Sequence, residues 1–227
     1  MKNKIILGSA NFDQKYGIGK NFITKKEIKQ SFKLALKSKI KTIDTSPLYN
    51  KSEKIIGLIN NKRFKIISKI PKIPKNIRKK NIEKWIKRNA MISLNNLKIK
   101  KFECLLIHDA NSLLNKNGKE IYNSIKNIKT IGLTNKIGIS IYDFNILGKI
   151  LRKFKFDLIQ APLNILDRRL VETGWLKKLK KRKIKVHVRS IFLQGILLAK
   201  HNRLPKKLKK LSNNWIKWEN WLKNSKL

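Results

Sequence analysis

The chain has 227 residues, 41% of them hydrophobic, and a formal net charge of +43. That hydrophobic share excludes a disordered polymer and suffices for one domain with a sizeable core. No run approaches the roughly 18 consecutive apolar residues of a membrane span. A single cysteine, Cys104, leaves no internal disulfide, and the basic residues 1–4 are followed only by Ile5-Ile6-Leu7 before Gly8, too short for a secretory signal. Cytoplasm is the default compartment.

The charge has two readings. Only nine of the 56 basic residues are Arg, and the lysines run evenly along the chain beside abundant Ile and Asn. Nucleic-acid readers favour Arg where a phosphate or a guanine edge must be gripped bidentately. Lys, Asn and Ile share A/T-rich codons, so nucleotide composition is the simpler explanation. Such a surface would still attract polyanions non-specifically at low salt. No specific nucleic-acid partner is expected.

In chain order, short β-branched or apolar runs alternate with amphipathic stripes. Residues 5–8 read as a first strand. Thr24-Lys25-Lys26-Glu27 has capping-box spacing, and Ile28, Phe32, Ala35 and Leu36 form the apolar stripe of the helix behind it. Residues 42–44 and 65–69 read as strands two and three, and Pro71 and Pro74 mark the loop that follows. Ile82, Trp85, Ile86, Ala90, Leu94 and Leu97 line a longer helix. Residues 103–108, 137–140 and 158–161 are further strands, with Ile146, Leu147, Ile150, Leu151 and Phe154 lining a helix between the last two. Val171, Trp175, Leu176 and Leu179 line another before a seventh strand at 185–189. Seven strands alternating with helices predict a parallel sheet with helices outside it. The unbroken pattern, with no Gly-rich loop after the first strand, favours a (β/α) barrel over a doubly wound nucleotide-binding sheet. No linker or internal boundary divides residues 1–227.

Barrel enzymes build their sites on the loops at the C-terminal ends of the strands. Asp44 ends the second strand, Lys69 the third and His108 the fourth, and Tyr49 lies five residues into the second loop. This set resembles that of carbonyl-reducing barrel enzymes, and reducing a carbonyl needs a hydride donor and a proton donor. Tyr is a poor acid, with an ordinary pKa of about 10. An adjacent ammonium would bring that down, so Lys69 is expected to tune Tyr49, with Asp44 holding Lys69 and His108 orienting or polarising the carbonyl. Singly, each residue has a plainer role. Asp44 could cap a helix, Tyr49 line a rim, Lys69 be a solvated lysine and His108 a satisfied core imidazole.

Together, Ile43-Asp44-Thr45-Ser46-Pro47-Leu48-Tyr49, Ile67-Ser68-Lys69 and Leu106-Ile107-His108-Asp109 resemble the catalytic tetrad of the aldo/keto reductases. The similarity runs from Leu7-Gly8-Ser9-Ala10-Asn11-Phe12 to about Leu198, with Ser52-Glu53-Lys54-Ile55-Ile56-Gly57 like the family's second helix. It implies a TIM-type (β/α)8 barrel and reduction of an aldehyde, ketone or sugar-derived carbonyl by NADP(H) lying across the mouth. The cofactor contacts it implies are Ser9, Ala10 and Asp44, Ser140 and Gln160 at the nicotinamide carboxamide, and Arg189, Ser190 and Leu193 in the segment after the seventh strand. No metal is implied, since His187 and His201 have no Cys or carboxylate at ligand spacing.

Three departures from the family pattern stand out. Asp13 and Asn50 fall where relatives commonly have Gly. Arg189 replaces the aromatic residue on which the nicotinamide usually stacks; its charge would disfavour the oxidised ring, so the implied enzyme favours reduction. After the seventh strand come Leu204-Pro205 and a helical tail with Trp215, Ile216, Trp218, Trp221 and Leu222, in place of an eighth strand and the family's Lys/Ser…Arg segment for the adenosine 2′-phosphate. The expected barrel therefore lacks its eighth strand and has open edges. Either it distorts to close, another chain supplies a strand by self-association, or the product is an inactive remnant. The tail most simply packs on the barrel; a basic Trp-bearing helix could instead lie on an anionic membrane, cover the open edge or dimerise. The reading from a different class is a basic binding protein that keeps the barrel without turnover.

Overall fold

The computed structural model describes residues 5–17, 23–60, 63–200 and 212–225, with 202, 204, 206 and 208. Residues 1–4, His201 and Pro205, read above, lie outside them. Seven parallel strands pair in sequence order: β1 (Leu7–Gly8), β2 (Thr42–Asp44), β3 (Lys65–Ile70), β4 (Cys104–Ile107), β5 (Ile137–Ser140), β6 (Leu158–Pro162) and β7 (Lys185–Arg189). Helices α1 (Lys25–Lys37), α2 (Ser52–Ile59), α3 (Ile82–Leu97), α4 (Gly118–Thr130) and α5 (Leu147–Lys153) fill the crossovers up to β6. Two short helices, α6 (Arg169–Glu172) and α7 (Trp175–Lys181), precede β7, and α8 (Ser212–Asn224) follows it.

Thr24 and Glu27 form the expected capping box at the start of α1. The stripe Val171–Leu179 is not one helix: Gly174 takes a positive φ of 72° between α6 and α7, a conformation that breaks a helical run. Helix α4, buried through Ile121, Ile125 and Ile128, adds to the helices named from sequence.

Strand side chains alternate between the faces of a sheet, and here that alternation makes two compartments. Outward residues such as Ile43, Ile66, Leu105, Ile139 and Ile159 join the helices in the main core. Inward residues Ile67, Cys104, Leu106 and Leu158, with Ile6, form a separate apolar plug. One inward step further along the same strands come Lys69, His108 and Gln160, in phase with Asp44, Ser140 and Arg189. The sheet is strongly curled: Gln160 on β6 donates to Asp44 on β2 at 2.8 Å across three intervening strands, which a flat sheet with strands about 4.8 Å apart would forbid. Among the described residues β1 and β7 do not pair. Instead the loop after β1 crosses to the loop after β7, where Gly17 (φ 72°) lies so close that a Cβ would sit 2.2 Å from the Gln194 carbonyl oxygen.

Among the described residues the Trp-bearing tail packs on the segment that follows β7. Trp215 of α8 is buried with Leu197 and Leu204, and Trp218 Nε1 donates to the Leu197 carbonyl at 3.2 Å. This holds α8 against the loop after β7.

Candidate active site

The apolar plug ends where the polar layer begins, so the mouth has a dry floor and a charged wall. Lys69 is 2% exposed. Its Nζ donates to both Asp44 oxygens, at 3.0 and 2.9 Å, and to the Thr45 carbonyl at 2.8 Å, using all three N–H groups. The expected Asp44–Lys69 pair therefore forms, and Thr45 adds a contact that sequence could not show because it uses a backbone oxygen. Gln160 supports the carboxylate through Nε2, and its Oε1 is buried with no partner.

Tyr49 reaches this group from a turn in which its own N–H donates to Ser46. The Lys69 ammonium lies 5.2 Å from its ring centroid, so the two share one side of the mouth. The expected lowering of the Tyr49 pKa is overturned. Burial raises it above the ordinary phenol value, Asp44 raises it further, and Arg189 opposes. Burial of the ring is the largest cause, and the Asp44 carboxylate beside it disfavours a second negative charge. His108 is pushed the other way, below the ordinary imidazole value, by burial and then by Lys69. Its Nδ1 is buried and unpartnered.

Of the residues named as cofactor contacts, some are already engaged within the protein. Ser140 is buried at the C-terminal end of β5, in register with Gln160. Ser9 is wholly buried and already engaged: its hydroxyl donates to the Asp44 carbonyl at 3.1 Å and accepts from Ser52 at 2.8 Å. Ala10, in the turn behind it, accepts from the Gln14 side chain. Ser190, Leu193 and Gln194 all have positive φ, turning the chain over the rim after β7.

The rim holds two groups that sequence reading missed. Tyr142, 59% exposed, stacks on Arg189 with the guanidinium carbon 3.6 Å from its ring centroid. One face of the guanidinium is thus covered by protein. Tyr16, in the crossing loop, is bonded to the Gln194 side chain, and burial raises its pKa. An aromatic two residues past the end of β5 was the available signal for Tyr142; nothing local announced Tyr16. At the neighbouring rim, Asp13 and Asn50 adopt positive φ, the conformation that favours Gly, and Asn50 Nδ2 donates to the Asp13 carbonyl at 2.7 Å.

A family model described as "Aldo/keto reductase family" matches residues 4–226. The chain belongs to that family. Its members are oxidoreductases, and the fold agrees with solved members. An aldo-keto reductase from Bacillus halodurans in its holo form matches at TM-score 0.69 and 18% identity, over 86% of this chain and 64% of that one. The glycerol dehydrogenase from Gluconobacter oxydans matches at 0.66 and 22%, over 89% and 64%. An aldo/keto reductase from Klebsiella pneumoniae in complex with NADP and acetate matches at 0.65 and 16%, over 89% and 67%. This chain spans less than two thirds of the first two. No curated protein sequence matches it. Among the described residues no helix is long and apolar enough to cross a membrane.

Proposed function

We propose that this aldo/keto reductase reduces the carbonyl of a small aldehyde, ketone or sugar-derived substrate with NADP(H), Tyr49 giving the proton. One observation carries the reading: a fully engaged Lys69 ammonium, sealed from water, lies beside Tyr49 at the rim of a parallel barrel with His108 on the next strand. An ion pair of this kind is costly to bury, and a merely structural role would not require a phenol next to it.

The nicotinamide end of the cofactor fits the residues present. Gln160 Oε1 is a buried acceptor without a donor, and Ser140 ends the adjacent strand, so an amide group suits the pair. Ser9 fits less well, because its hydroxyl is already used inside the protein. When bound, NADPH supplies the hydride. The protein's own part is to hold and move one proton. Burial keeps Tyr49 protonated, the form a proton donor needs, and Lys69 lies close enough to stabilise the charge left on its oxygen. His108, kept neutral, offers an N–H to the carbonyl oxygen without competing as an acid. The reducing interior of the cell suits the free Cys104.

The test is NADPH consumption with carbonyl substrates. Tyr49→Phe should lower kcat by about 10²–10⁴-fold while NADPH still quenches protein fluorescence with an unchanged dissociation constant. Wild-type protein that fails to bind NADPH ends the proposal.

A further inference from the structure

Resting on that function, we infer that Arg189 makes the enzyme selective for carbonyl substrates that also carry an anionic group, a carboxylate or a phosphate. The charges at the mouth do not balance. Lys69 is matched by Asp44. Asp167, the other carboxylate near enough for Arg189 to act on its titration, is held by Arg169 through two 2.8 Å bonds. Arg189 has no carboxylate in ion-pair reach among the described residues, and what it does contact is neutral. Nη2 donates to the Ile141 carbonyl at 3.1 Å, Nη1 makes a long 3.4 Å contact to the Ser190 hydroxyl, and Nε is shut off from water with no acceptor. Among the described residues three of the five guanidinium donors therefore have no bond.

A half-buried, uncompensated guanidinium costs free energy, and the cost falls when an anion accepts from it. The position suits a substrate. Arg189 lies at the C-terminal end of β7, in the same inward layer as Lys69, His108 and Gln160, and its Nη2 reaches the Ile141 carbonyl beside Ser140 at the mouth. A carbonyl held between Tyr49 and His108 would therefore have its acidic substituent within range. The exposed Tyr142 ring stacks on the guanidinium face, whereas an oxyanion accepts at the edge, in the plane of the donors.

Two pairs of probes test this, each differing by one anionic group: succinic semialdehyde against butanal, and glyceraldehyde 3-phosphate against glyceraldehyde. All are measured at fixed ionic strength because of the +43 background. Wild-type kcat/KM should favour the charged member by about 10–100-fold. Arg189→Met should bring the ratio close to one, and Arg189→Lys should keep part of it. Lys84→Met, which removes a charge from an exposed site on α3, should leave the ratio alone. Calorimetric binding of the alcohol products, 4-hydroxybutyrate against butan-1-ol and glycerol 3-phosphate against glycerol, reads the same preference without turnover. Binding preference without turnover upholds the anion site and defeats the proposed reduction. Turnover with equal ratios in wild type and Arg189→Met defeats the anion site and leaves the reduction standing. If Arg189→Met instead weakens NADPH binding and leaves the substrate ratios intact, Arg189 serves the cofactor's phosphates and the inference falls.

Discussion

On the β2–β3–β6 side of the mouth every donor of Lys69 is spent within 3.0 Å, on groups carried by strands and their immediate ends. On the β7 side Arg189 has no counter-charge, sits on an edge strand, and is surrounded by Tyr16, Tyr142 and a loop with consecutive positive-φ residues. The first arrangement is rigid because the sheet fixes both partners before any ligand arrives, as catalysis by prepositioned charge requires. The second is adaptable, because its contacts are stacked rings and loop backbone. Under the proposed function, chemistry falls to the fully engaged side and selection to the side with unspent donors.

The largest effect should come from the rigid side. Lys69→Met leaves the Asp44 carboxylate with only Gln160. Removing one member of a buried pair costs about 3–5 kcal/mol, and because the Asp44 side chain keeps 18% exposure the lower end, about 3 kcal/mol, applies. Urea unfolding should show it as a lower midpoint with an unchanged slope. Lys69→Met with Asp44→Asn should recover part of the loss. If Lys69→Met unfolds at the wild-type midpoint, the pair contributes nothing to the barrel and the contrast with Arg189 disappears.

The sequence carried the rigid side far better than the adaptable one. Strand positions follow from runs such as Lys65-Ile66-Ile67-Ser68-Lys69, and the period of two then decides that Ile67 and Lys69 face inward while Ser68 faces out to bond Glu53 at 2.7 Å. Strand ends at 44, 69 and 108 therefore converge with no long-range knowledge. The rim is different, since Tyr16–Gln194, Tyr142–Arg189 and Asn50–Asp13 join loops far apart in sequence and depend on how those loops close. The direction of the Tyr49 shift was lost for a related reason. Lys69 beside a phenol predicts a lowered value, and only the fold shows that the ring is buried and that the Asp44 carboxylate lies close enough to oppose ionisation.

A matched pair of glycine substitutions probes rigidity directly at intermediate size. Gly138, in β5, has no room for a methyl group: a Cβ would meet the Leu158 carbonyl oxygen at 2.3 Å and Leu106 Cδ2 at 2.7 Å. Gly17 is equally crowded by Gln194, but between two loops. Gly138→Ala should cost about 3 kcal/mol, the upper end for overpacking, because neighbouring strands cannot part. Gly17→Ala should cost only about 1 kcal/mol despite its positive φ, while loosening the crossing loop enough to raise protease sensitivity near residue 17. Equal losses in thermal unfolding would mean that the two sides are equally stiff.

The smallest effect separates strain that serves the rim from strain that serves nothing. Among the described residues eight non-glycine positions have positive φ against four glycines, so Lys, Asn and Asp stand where Gly is the comfortable choice. Lys98 ends α3 at φ 53° with an exposed side chain. Lys98→Gly should therefore stabilise by about 1 kcal/mol, the usual penalty for a left-handed side-chain-bearing residue. Asn50, at φ 43°, spends its side chain on the Asp13 carbonyl and carboxylate, tying the loop after β2 to the loop after β1. Asn50→Gly should relieve the backbone and lose the tie, leaving the melting temperature nearly unchanged. Were both to stabilise equally, the Asn50–Asp13 bond would be incidental, and the lysine-rich composition that set Lys98 would account for the rim as well.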